Sequence, residues 1–504
     1  MRARIIALGV AAMIGSAATA HAFCGFYVGG AGAKMFNNAT EVVLMRHGTT
    51  TVLSMQNNYQ GPPEKFALVV PVPVVIKEKQ VKTLPRDVFA KVDVLGAPRL
   101  VEYWEADPCK ADYDDGDIQK KMYMESDDEA SDDGAERDEK EYKVKIEAKF
   151  SVGEYDIVVL SAQDSTGLER WLKANKYEIP PGAEPLLRPY IEEGMKFFVA
   201  KVDPKKVRFE NGMATLSPLR FYYDSPELKL PIRLGLANSN GQQDLIVNIL
   251  APDQRYESAN HPNVTIPTNL PVHDIVRTRF GEFYAALFDH TLAEVPNAVV
   301  TEYSWDSGSC DPCPGPTLDA NDVATLGGDV IGTTYKDAQY ASYTLTRLHA
   351  RYSTDIKDDL VFRAVEPIVG GRGVPDANGA LSSAVTKDGS NNFQGRYVIM
   401  HPWTSAVACE KPLRGRWGGP PDGQQIATPA TNTAFAPRGK VDLATMVAAT
   451  PTVSTLSSQG AMLPIPVRSP RANGCGCQAQ GGAASAVGAF AIGLIVLRRR
   501  RRTR

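Results

Sequence analysis

The sequence predicts an α+β protein whose core is mainly antiparallel β-sheet, with a few packed helices. Apolar residues alternate with charged ones at residues 144–150, which is the period of a half-buried strand. The same alternation recurs at residues 228–236, whereas helical spacing of apolar residues is limited to three stretches. No internal repeat is found, so we expect one folded body at residues 23–417.

The first predicted elements are two strands rich in Val, Thr and Leu, at residues 41–46 and 49–56. His47-Gly48 separates them and fits a two-residue hairpin turn. Residues 66–76 (FALVVPVPVVI) are apolar but contain two prolines. Because proline lacks a backbone donor, this strand is expected at a sheet edge or at a bulge.

Three helices are predicted, at residues 84–95, 165–175 and 272–292. The first has a proline near its start, where the missing N–H is harmless. In the second, Thr166 and Glu169 have the spacing of a capping box. The third is the longest.

A second hairpin is predicted near the middle of the chain. The alternating leucines of residues 228–236 precede Asn240-Gly241, and a second apolar run follows at residues 245–250. Asn-Gly between two such runs is typical of a tight hairpin turn.

Acidic residues are concentrated in an insertion at residues 111–141. Residues 111–140 hold 13 acidic side chains against four basic ones. We expect this insertion to be disordered, because it offers little apolar area to offset the entropy of ordering. A calcium loop is the alternative, but placing Gly134 at the sixth position puts Lys140 at the twelfth, where the motif requires Glu.

The amino terminus has the pattern of a secretory signal peptide at residues 1–22. Arg2 and Arg4 precede an apolar run, and Ala20-His21-Ala22 has the small-x-small form of a cleavage site. Cleavage by signal peptidase after Ala22 would export the body.

The carboxyl terminus has the pattern of a short membrane segment. Residues 483–497 (AASAVGAFAIGLIVL) are apolar or small, and six arginines follow within seven positions. With residues 481–482 included, the segment is a marginal transmembrane helix at 481–497. The arginines favour a cytoplasmic end, which places the body outside the inner membrane.

A short cysteine motif, Cys475-Gly476-Cys477, comes just before this segment and after a Pro/Thr/Ala-rich linker at residues 418–474. The order of motif, short helix and arginine cluster in residues 475–504 resembles the myxobacterial sorting tail called MYXO-CTERM. The resemblance implies that a membrane protease removes the tail near the cysteines and that the body stays at the cell surface. A plain single-span anchor is the alternative.

Charge excludes one class of partner. Between the two processing segments, residues 23–474 hold 47 basic and 58 acidic side chains, a net charge of -11. Such a balance argues against a nucleic acid as partner.

Four segments of the body resemble a known bacterial family. They are MQNNYQGPPEKFALVVPVPVV at residues 55–75, YDIVVLSAQDSTGLERWL at 155–172, GMKFFVAKV at 194–202 and LTRLHARY at 345–352. The family is domain of unknown function 2330, and the resemblance runs from about residue 23 to about residue 410. The resemblance implies no activity and no catalytic residue.

Arg46-His47-Gly48 is the one motif that looks catalytic. It resembles the nucleophile motif of histidine phosphatases, in which the histidine takes the phosphoryl group and the arginine holds its oxygens. The following residues, TTTVL, favour a return strand instead of the loop and helix of that family. A turn role for His47 is therefore the preferred interpretation, and a partner histidine would have to come from His261, His273, His290, His349 or His401.

Cys310-Asp-Pro-Cys313 has the spacing of a redox or zinc pair. Only one such pair exists, whereas a zinc site requires two more ligands. We therefore expect structural disulfides, with pairing left open, among the five cysteines of the body: Cys24, Cys109, Cys310, Cys313 and Cys409.

Arg347, His349 and Arg351 share one face of a predicted strand at residues 344–352. They could hold a sulfate, a phosphate or an acidic glycan. The alternative is an ordinary solvent-exposed strand face.

These patterns predict a secreted, cell-surface-anchored envelope protein that acts by binding or as a structural component. No complete catalytic set, metal site or cofactor motif is found in the sequence. The predicted partners are signal peptidase, a carboxyl-terminal sorting protease and, before processing, the membrane. The alternatives are an envelope hydrolase that uses His47 and an acidic calcium-dependent adhesin.

Overall fold

The computed structural model of the chain describes residues 26–28, 39–56, 67–110, 143–175, 177, 182–210, 213–238, 241–373, 381–420, 427–429, 439, 441–447 and 454–456. The predicted leader, the acidic insertion and the sorting tail lie outside these residues, and so do Ala22, Cys24, Cys475, Gly476 and Cys477. Within the described residues, no helix combines the length and the apolar composition that a membrane span needs.

The strands of the described residues are, in chain order, β1 (Phe26–Val28), β2 (Ala39–His47), β3 (Thr50–Met55), β4 (Ala67–Val72), β5 (Val81–Thr83), β6 (Arg99–Glu105), β7 (Val144–Val152), β8 (Tyr155–Ala162), β9 (Lys196–Val202), β10 (Arg208–Glu210), β11 (Met213–Thr215), β12 (Leu219–Asp224), β13 (Leu228–Leu230), β14 (Gln243–Pro252), β15 (Arg255–Ser258), β16 (Asn263–Thr265), β17 (Leu270–Pro271), β18 (Val299–Asp306), β19 (Tyr343–Tyr352), β20 (Leu360–Val365), β21 (Ile368–Gly370), β22 (Thr386–Lys387), β23 (Asn392–Gln394), β24 (Arg396–His401), β25 (Trp417–Gly418), β26 (Thr428–Pro429) and β27 (Ser454–Thr455). The α-helices are α1 (Asp87–Gly96), α2 (Ser165–Ala174), α3 (Ala183–Glu192), α4 (Phe280–Glu294), α5 (Ala320–Val323) and α6 (Asp329–Thr334).

The largest sheet, here called the large sheet, has the strand order β22-β21-β23-β18-β19-β14-β2-β3-β12-β5, with β16 and β27 joined at β18. Most of its neighbouring strands are antiparallel, but β14 runs parallel to β2 and antiparallel to β19. These antiparallel-rich sheets with few helices confirm the predicted α+β class.

A second sheet, the small sheet, has the order β1-β4-β9-β8-β7. One of its faces packs on the large sheet through a single apolar cluster, because alternate residues of each strand point to the same face. That cluster includes Val42, Leu44, Leu53, Leu68, Val70, Ile157 and Phe198. The other face of the small sheet is covered by α2 and α3 through Leu168, Trp171, Leu172, Leu187 and Tyr190.

The far face of the large sheet carries two apolar clusters. One contains residues of α1 and Leu326 and Ile331 from the segment of α5 and α6. The other contains residues of α4, together with Tyr397 of a third sheet with the order β17-β24-β6-β25 and with β26 joined at β6. Between the two clusters, β19 carries three cationic or titratable side chains, Arg347, His349 and Arg351.

The predicted hairpin at residues 228–250 is wrong. β13 pairs with β20, residues 233–238 form a 3₁₀ helix, and β14 pairs with β2 and β19. Pro231 directly follows β13 and has no backbone N–H with which to extend a strand ladder. The alternating leucines therefore extend past the end of β13 into the 3₁₀ helix, and they do not form the first strand of a hairpin with β14.

The hairpin at His47 is confirmed, with its turn shifted by one residue. His47 pairs with Thr50, so the two turn residues are Gly48 and Thr49. Gly48 has a φ of 55°, which a glycine adopts without strain.

The predicted helices are confirmed with corrected ends. Asp164, and not Thr166, caps α2, since its carboxylate accepts the Gly167 N–H. The predicted helix at 272–292 is a 3₁₀ helix at residues 274–278 followed by α4.

Two further details concern the proline-rich strand and the stretch predicted as a linker. The predicted edge position of the proline-rich strand is wrong, since β4 lies between β1 and β9; Pro71 lies beyond the described residues that pair with β1. In the stretch from residue 418 onward, β26 pairs with β6 and β27 with β16. Ala427 and Met446 are buried, so parts of this stretch pack on the body.

Candidate functional site

The three side chains predicted to bind an anion lie on β19 and are not solvent-exposed. Arg347 has no exposed surface and His349 is 2% exposed, while Arg351 is half-buried. The expectation of an exposed strand face is therefore wrong. These groups need partners inside the protein, because a buried charge is costly unless it is paired.

Arg347 is held by two carboxylates. Its Nε donates to Glu302 Oε2 at 2.7 Å, and its Nη1 donates to Asp93 Oδ1 at 2.8 Å. Asp93 comes from α1 and Glu302 from β18. The guanidinium of Arg347 therefore links α1 to β18, which is the strand next to β19 in the large sheet.

Arg351 repeats the arrangement four residues further along the same face. Its Nε donates to Asp244 Oδ1 of β14 at 2.8 Å, and its Nη1 donates to Asp289 of α4. Phe288 lies beneath this guanidinium, 5.0 Å from ring centroid to Cζ. Such a cation–π contact adds to the ion pairs.

His349 joins the two arginine pairs. Its Nδ1 lies 2.8 Å from Glu302 Oε1, and its Nε2 lies 3.5 Å from Asp244 Oδ1. Along β19, four carboxylates therefore alternate with two arginines and one histidine. We call these seven side chains the charge ladder: Asp93, Arg347, Glu302, His349, Asp244, Arg351 and Asp289.

A β-bulge positions the central carboxylate. The register between β18 and β19 shifts between Thr301 and Tyr303, so Glu302 is the additional residue. A bulge redirects a side chain relative to the regular pleat. The Tyr284 hydroxyl of α4 donates to Glu302 Oε1 at 2.6 Å and so satisfies this oxygen further.

The electrostatics follow from these contacts. Burial alone would raise the pKa of Glu302, but His349 and Arg347 lower it to about 2. Burial lowers the pKa of the His349 ring, although Glu302 opposes this effect. Burial also disfavours the charge on Arg347, but Asp93 and Glu302 keep the pKa of Arg347 above its usual value.

Next to the charge ladder, a neutral hydrogen-bond donor on β14 contacts an acidic side chain of β2. Asn248 Nδ2 donates to Glu41 Oε1 at 2.9 Å. Glu41 is half-buried, and burial followed by repulsion from Asp93 raises its pKa to about 8. Glu41 is therefore largely protonated at neutral pH.

The His349–Glu302 pair has the geometry of a base and its orienting carboxylate. Phe288 covers it, with its ring stacked on the imidazole at 3.7 Å between centroids. Carboxylates also occupy both arginines, so the ladder is arranged to hold β19, α1 and α4 together. Arg347 Nη2 and His349 Nε2 have no hydrogen-bond partner among the described residues, but both side chains are buried, so the anion-binding role of this face stays a prediction.

The second predicted candidate, His47, lies at the end of β2. Its Nε2 is 3.4 Å from Asp337 Oδ2, and its ring meets Tyr335 edge-on at 4.6 Å. Arg46 donates to the carbonyls of Thr49 and Ser225 and is buried. Because Arg46 holds backbone, it does not offer a phosphate clamp. The predicted turn role of His47 is wrong, since His47 is the last residue of β2 and Gly48 supplies the positive φ of the turn.

The cysteines form two disulfides within the described residues. Cys109 bonds Cys409, and Cys310 bonds Cys313. Both bonds join cysteines that the sequence predicts as disulfide partners, while Cys24 lies outside the described residues.

Two buried arginines hold the loop between Cys310 and Cys313. Arg99 Nη1 donates to the Pro312 carbonyl at 3.0 Å, and Arg396 Nη2 donates to the Asp311 carbonyl. Gln394 and Tyr103 complete the set, which we call the loop anchor: Arg99, Tyr103, Gln394 and Arg396. Sequence reasoning missed this set, since its two halves, at residues 99–103 and 394–396, are almost 300 positions apart along the chain.

The loop anchor differs from the ladder in its charges. Arg99 and Arg396 are opposite each other in the parallel pair of β6 and β24. Neither guanidinium contacts a carboxylate among the residues that the structure describes, and the Nε of each has no hydrogen-bond partner there. Burial, and then repulsion from Arg396, lower the pKa of Arg99 to about 10.

The comparison with family models gives the protein its family. A model described as an uncharacterized protein conserved in bacteria (DUF2330) matches residues 18–363, which is more than half of the chain. The chain belongs to the DUF2330 family. The matched part of this DUF2330 chain contains the whole charge ladder and the Cys310–Cys313 loop, and it ends before Arg396. Neither a curated protein nor a solved structure matches the chain.

Two other kinds of site are relevant to this DUF2330 protein, a surface cavity and a metal centre. A surface cavity of about 260 Å³ is lined by Lys79, Lys82, Arg220 and other residues, but Asp329 already pairs with Arg220 at 2.8 Å and with Lys82 at 3.1 Å. In the part of the chain that the structure describes, no group of three or more His, Cys, Asp or Glu residues could hold a metal ion.

Proposed function

We propose that this DUF2330 protein is exported, stays at the cell envelope and acts there by binding or as a structural component. The observation that carries the proposal is the disulfide between Cys109 and Cys409, which closes a loop of 300 residues. Such bonds form and persist in oxidising compartments and are rare in the cytosol. This agrees with the signal-peptide pattern of residues 1–22.

The geometry of the polar side chains favours binding or support over catalysis. His349 is sealed beneath Phe288, and His47 pairs with the exposed Asp337. Arg46, which a phosphatase would need for substrate, is occupied by backbone carbonyls. We therefore assign His349 and His47 a structural role in stabilising the fold.

The route to the surface follows from the sequence of the tail. We propose that signal peptidase cleaves after Ala22 and that a membrane protease cleaves near Cys475 and Cys477. The hydrophobic segment at 481–497 holds the chain in the membrane until that second cleavage, because its arginines do not cross.

The test is mass spectrometry of peptides released by protease from intact cells, alongside cell fractionation. We expect body peptides from the surface and none beyond Cys477. The matched variant replaces Cys475 and Cys477 by Ser, and we expect its full tail to remain, with the body held in the inner membrane fraction.

Two results would contradict the proposal. Cytosolic protein with residues 1–22 still attached would exclude export. Recovery of the intact tail in mature wild-type protein at the surface would replace sorting by a simple anchor.

A further inference from the structure

The two disulfides differ in how strongly the fold supports them. Cys109 and Cys409 are 300 positions apart, whereas Cys310 and Cys313 are three apart. A bond that closes a long loop removes much more freedom from the unfolded chain than one that closes a very short loop. Folding therefore protects the first bond against reduction much more than the second.

The Cys310–Cys313 bond is open to a reagent from one side. Cys313 is exposed, while Cys310 is half-buried and packs beside the apolar cluster of α1 and β19. A thiolate arriving from solvent therefore reaches the Cys313 sulfur, and Cys310 is the leaving group.

The charges around this loop favour thiolates. Arg99 and Arg396 bond to the two carbonyls between the cysteines, and neither forms an ion pair with a carboxylate among the described residues, although the Asp311 carboxylate attracts both guanidinium groups from further away. The acidic groups near the loop are Asp311, which is exposed, and Asp306, which accepts the Gly308 N–H at 2.7 Å. Cations next to a cysteine stabilise its thiolate.

The surroundings of the other bond are different. The Asp107 carboxylate accepts the Cys109 N–H at 2.9 Å. Arg416 is also close and bonds the carbonyls of Asp107 and Lys110. Cys109–Cys409 is therefore an internal reference within the same chain.

We propose that Cys310 and Cys313 form a redox-active pair that oxidises dithiols of other exported polypeptides by thiol–disulfide exchange. This adds a chemistry to the proposed envelope role and can be tested on purified protein, whatever its location. Stabilisation of the reduced form by the loop anchor makes the disulfide an oxidant.

The exchange balances in two steps. A partner thiolate attacks Cys313 Sγ, a mixed disulfide forms, the Cys310–Cys313 bond breaks, and Cys310 leaves as a thiolate. The second thiol of the partner, once deprotonated, attacks the partner's own sulfur in the mixed disulfide and releases the Cys313 thiolate. The partner gains a disulfide and loses two electrons and two protons: the electrons reduce Cys310 and Cys313 to thiolates, and the protons pass to the solvent.

The first experiment is a redox titration of the full chain carrying Ser at positions 24, 475 and 477, which removes the remaining cysteines. The chain is equilibrated in glutathione buffers, alkylated and digested, and the two pairs are quantified by mass spectrometry. We expect Cys310–Cys313 to be half-reduced at a potential at least roughly 30 mV higher than Cys109–Cys409, which is tenfold in the equilibrium constant. Equal midpoints, or a reversed order, would overturn the proposal.

The second experiment measures exchange with a synthetic peptide that contains two cysteines joined by a Gly-Ser linker. We expect stoichiometric oxidation of this peptide by the chain, and none by the double variant Cys310→Ser, Cys313→Ser. The matched control, Cys109→Ser with Cys409→Ser, should keep the exchange if it folds. Peptide oxidation that survives the loss of Cys310 and Cys313 would contradict the assignment.

Arg396 is a positioning residue in this scheme, so its test is a pH profile. In the reduced protein, alkylation of Cys313 should follow a thiol pKa below the usual value of about 8.5. Arg396→Met should move this profile towards that value, and Arg396→Lys should restore part of the shift. An unshifted profile in the wild-type protein would remove the role of the loop anchor, and this readout does not depend on any variant folding.

Discussion

The charge ladder and the loop anchor are both built on buried arginines, but only the ladder contains their counter-ions. In the ladder, each guanidinium bonds two carboxylates, and His349 joins the two pairs. In the loop anchor, Arg99 and Arg396 bond backbone carbonyls and a tyrosine. The carboxylates of the ladder bind the sheet to its helices, whereas the arginines of the loop anchor have the exposed and more distant Asp311 as their acidic neighbour.

Strand register explains the difference. In the antiparallel pair of β14 and β19, Asp244 lies opposite Arg351, so opposite charges meet. In the parallel pair of β24 and β6, Arg396 lies opposite Arg99, and like charges meet. Directly opposed like charges destabilise a pair of strands, so the second arrangement costs stability.

Removal of the central carboxylate should have the largest effect. Glu302→Gln leaves Arg347 with one carboxylate and removes the charge next to His349. We expect the free energy of unfolding to fall by about 3–5 kcal/mol, the usual cost of breaking a buried pair. Urea unfolding of both proteins measures this difference.

The control for this variant is Glu366→Gln, which removes an exposed partner of Lys387. Exposed pairs contribute little to stability, so this change should be nearly neutral. Similar losses in the two variants would show that the ladder does not stabilise the fold as a buried network.

Loss of an arginine of the loop anchor should cost less. Among the described residues, Arg396→Met removes no hydrogen-bond donor from a carboxylate; it removes the donors to Tyr103 and the Asp311 carbonyl. We expect a loss of about 1–3 kcal/mol in the free energy of unfolding, as for unsatisfied neutral groups. A loss equal to that of Glu302→Gln would mean that the two regions do not differ in the way described.

Glu41 provides a pH-dependent test next to the charge ladder. Its pKa is about 8 in the folded protein against an ordinary value of 4.5, so the folded state keeps a proton that the unfolded state loses. Stability should therefore fall as the pH rises from about 4.5 to about 8.

The variant Glu41→Gln has no carboxyl group to ionise at this position, so it should be the more stable protein at pH 8. We expect a difference of about 1 kcal/mol, which allows for solvent screening at a half-buried site. At pH 4 the two proteins should be alike. Chemical unfolding at both pH values measures this, and a stability difference that does not change with pH would contradict the raised pKa.

The smallest effect is expected at His47, outside both regions. Its partner Asp337 is 70% exposed, so His47→Ala should lower the free energy of unfolding by less than about 1 kcal/mol. Hydrolysis of p-nitrophenyl phosphate, if any is detected, should be unchanged. A loss of hydrolysis in this variant would instead support the phosphatase hypothesis.

Local patterns in the sequence were enough for the fold class and for many elements. Alternation at residues 144–150 predicted β7, and the short gap after His47 predicted the β2–β3 hairpin. The same kind of alternation misled at residues 228–250, because the spacing of leucines does not state which strand lies alongside. Cysteine identity indicated disulfides, but spacing along the chain left their pairing open.

The sequence by itself determined that Arg347, His349 and Arg351 share a face, since side chains in a strand repeat every two residues. Only the tertiary structure decided that this face is buried and paired. Its carboxylates come from positions 93, 244, 289 and 302, which strand pairing, a bulge and two helices bring together. Likewise, Arg99 and Arg396 meet across 297 positions, because hydrogen bonding between strands joins residues without regard to their distance along the chain.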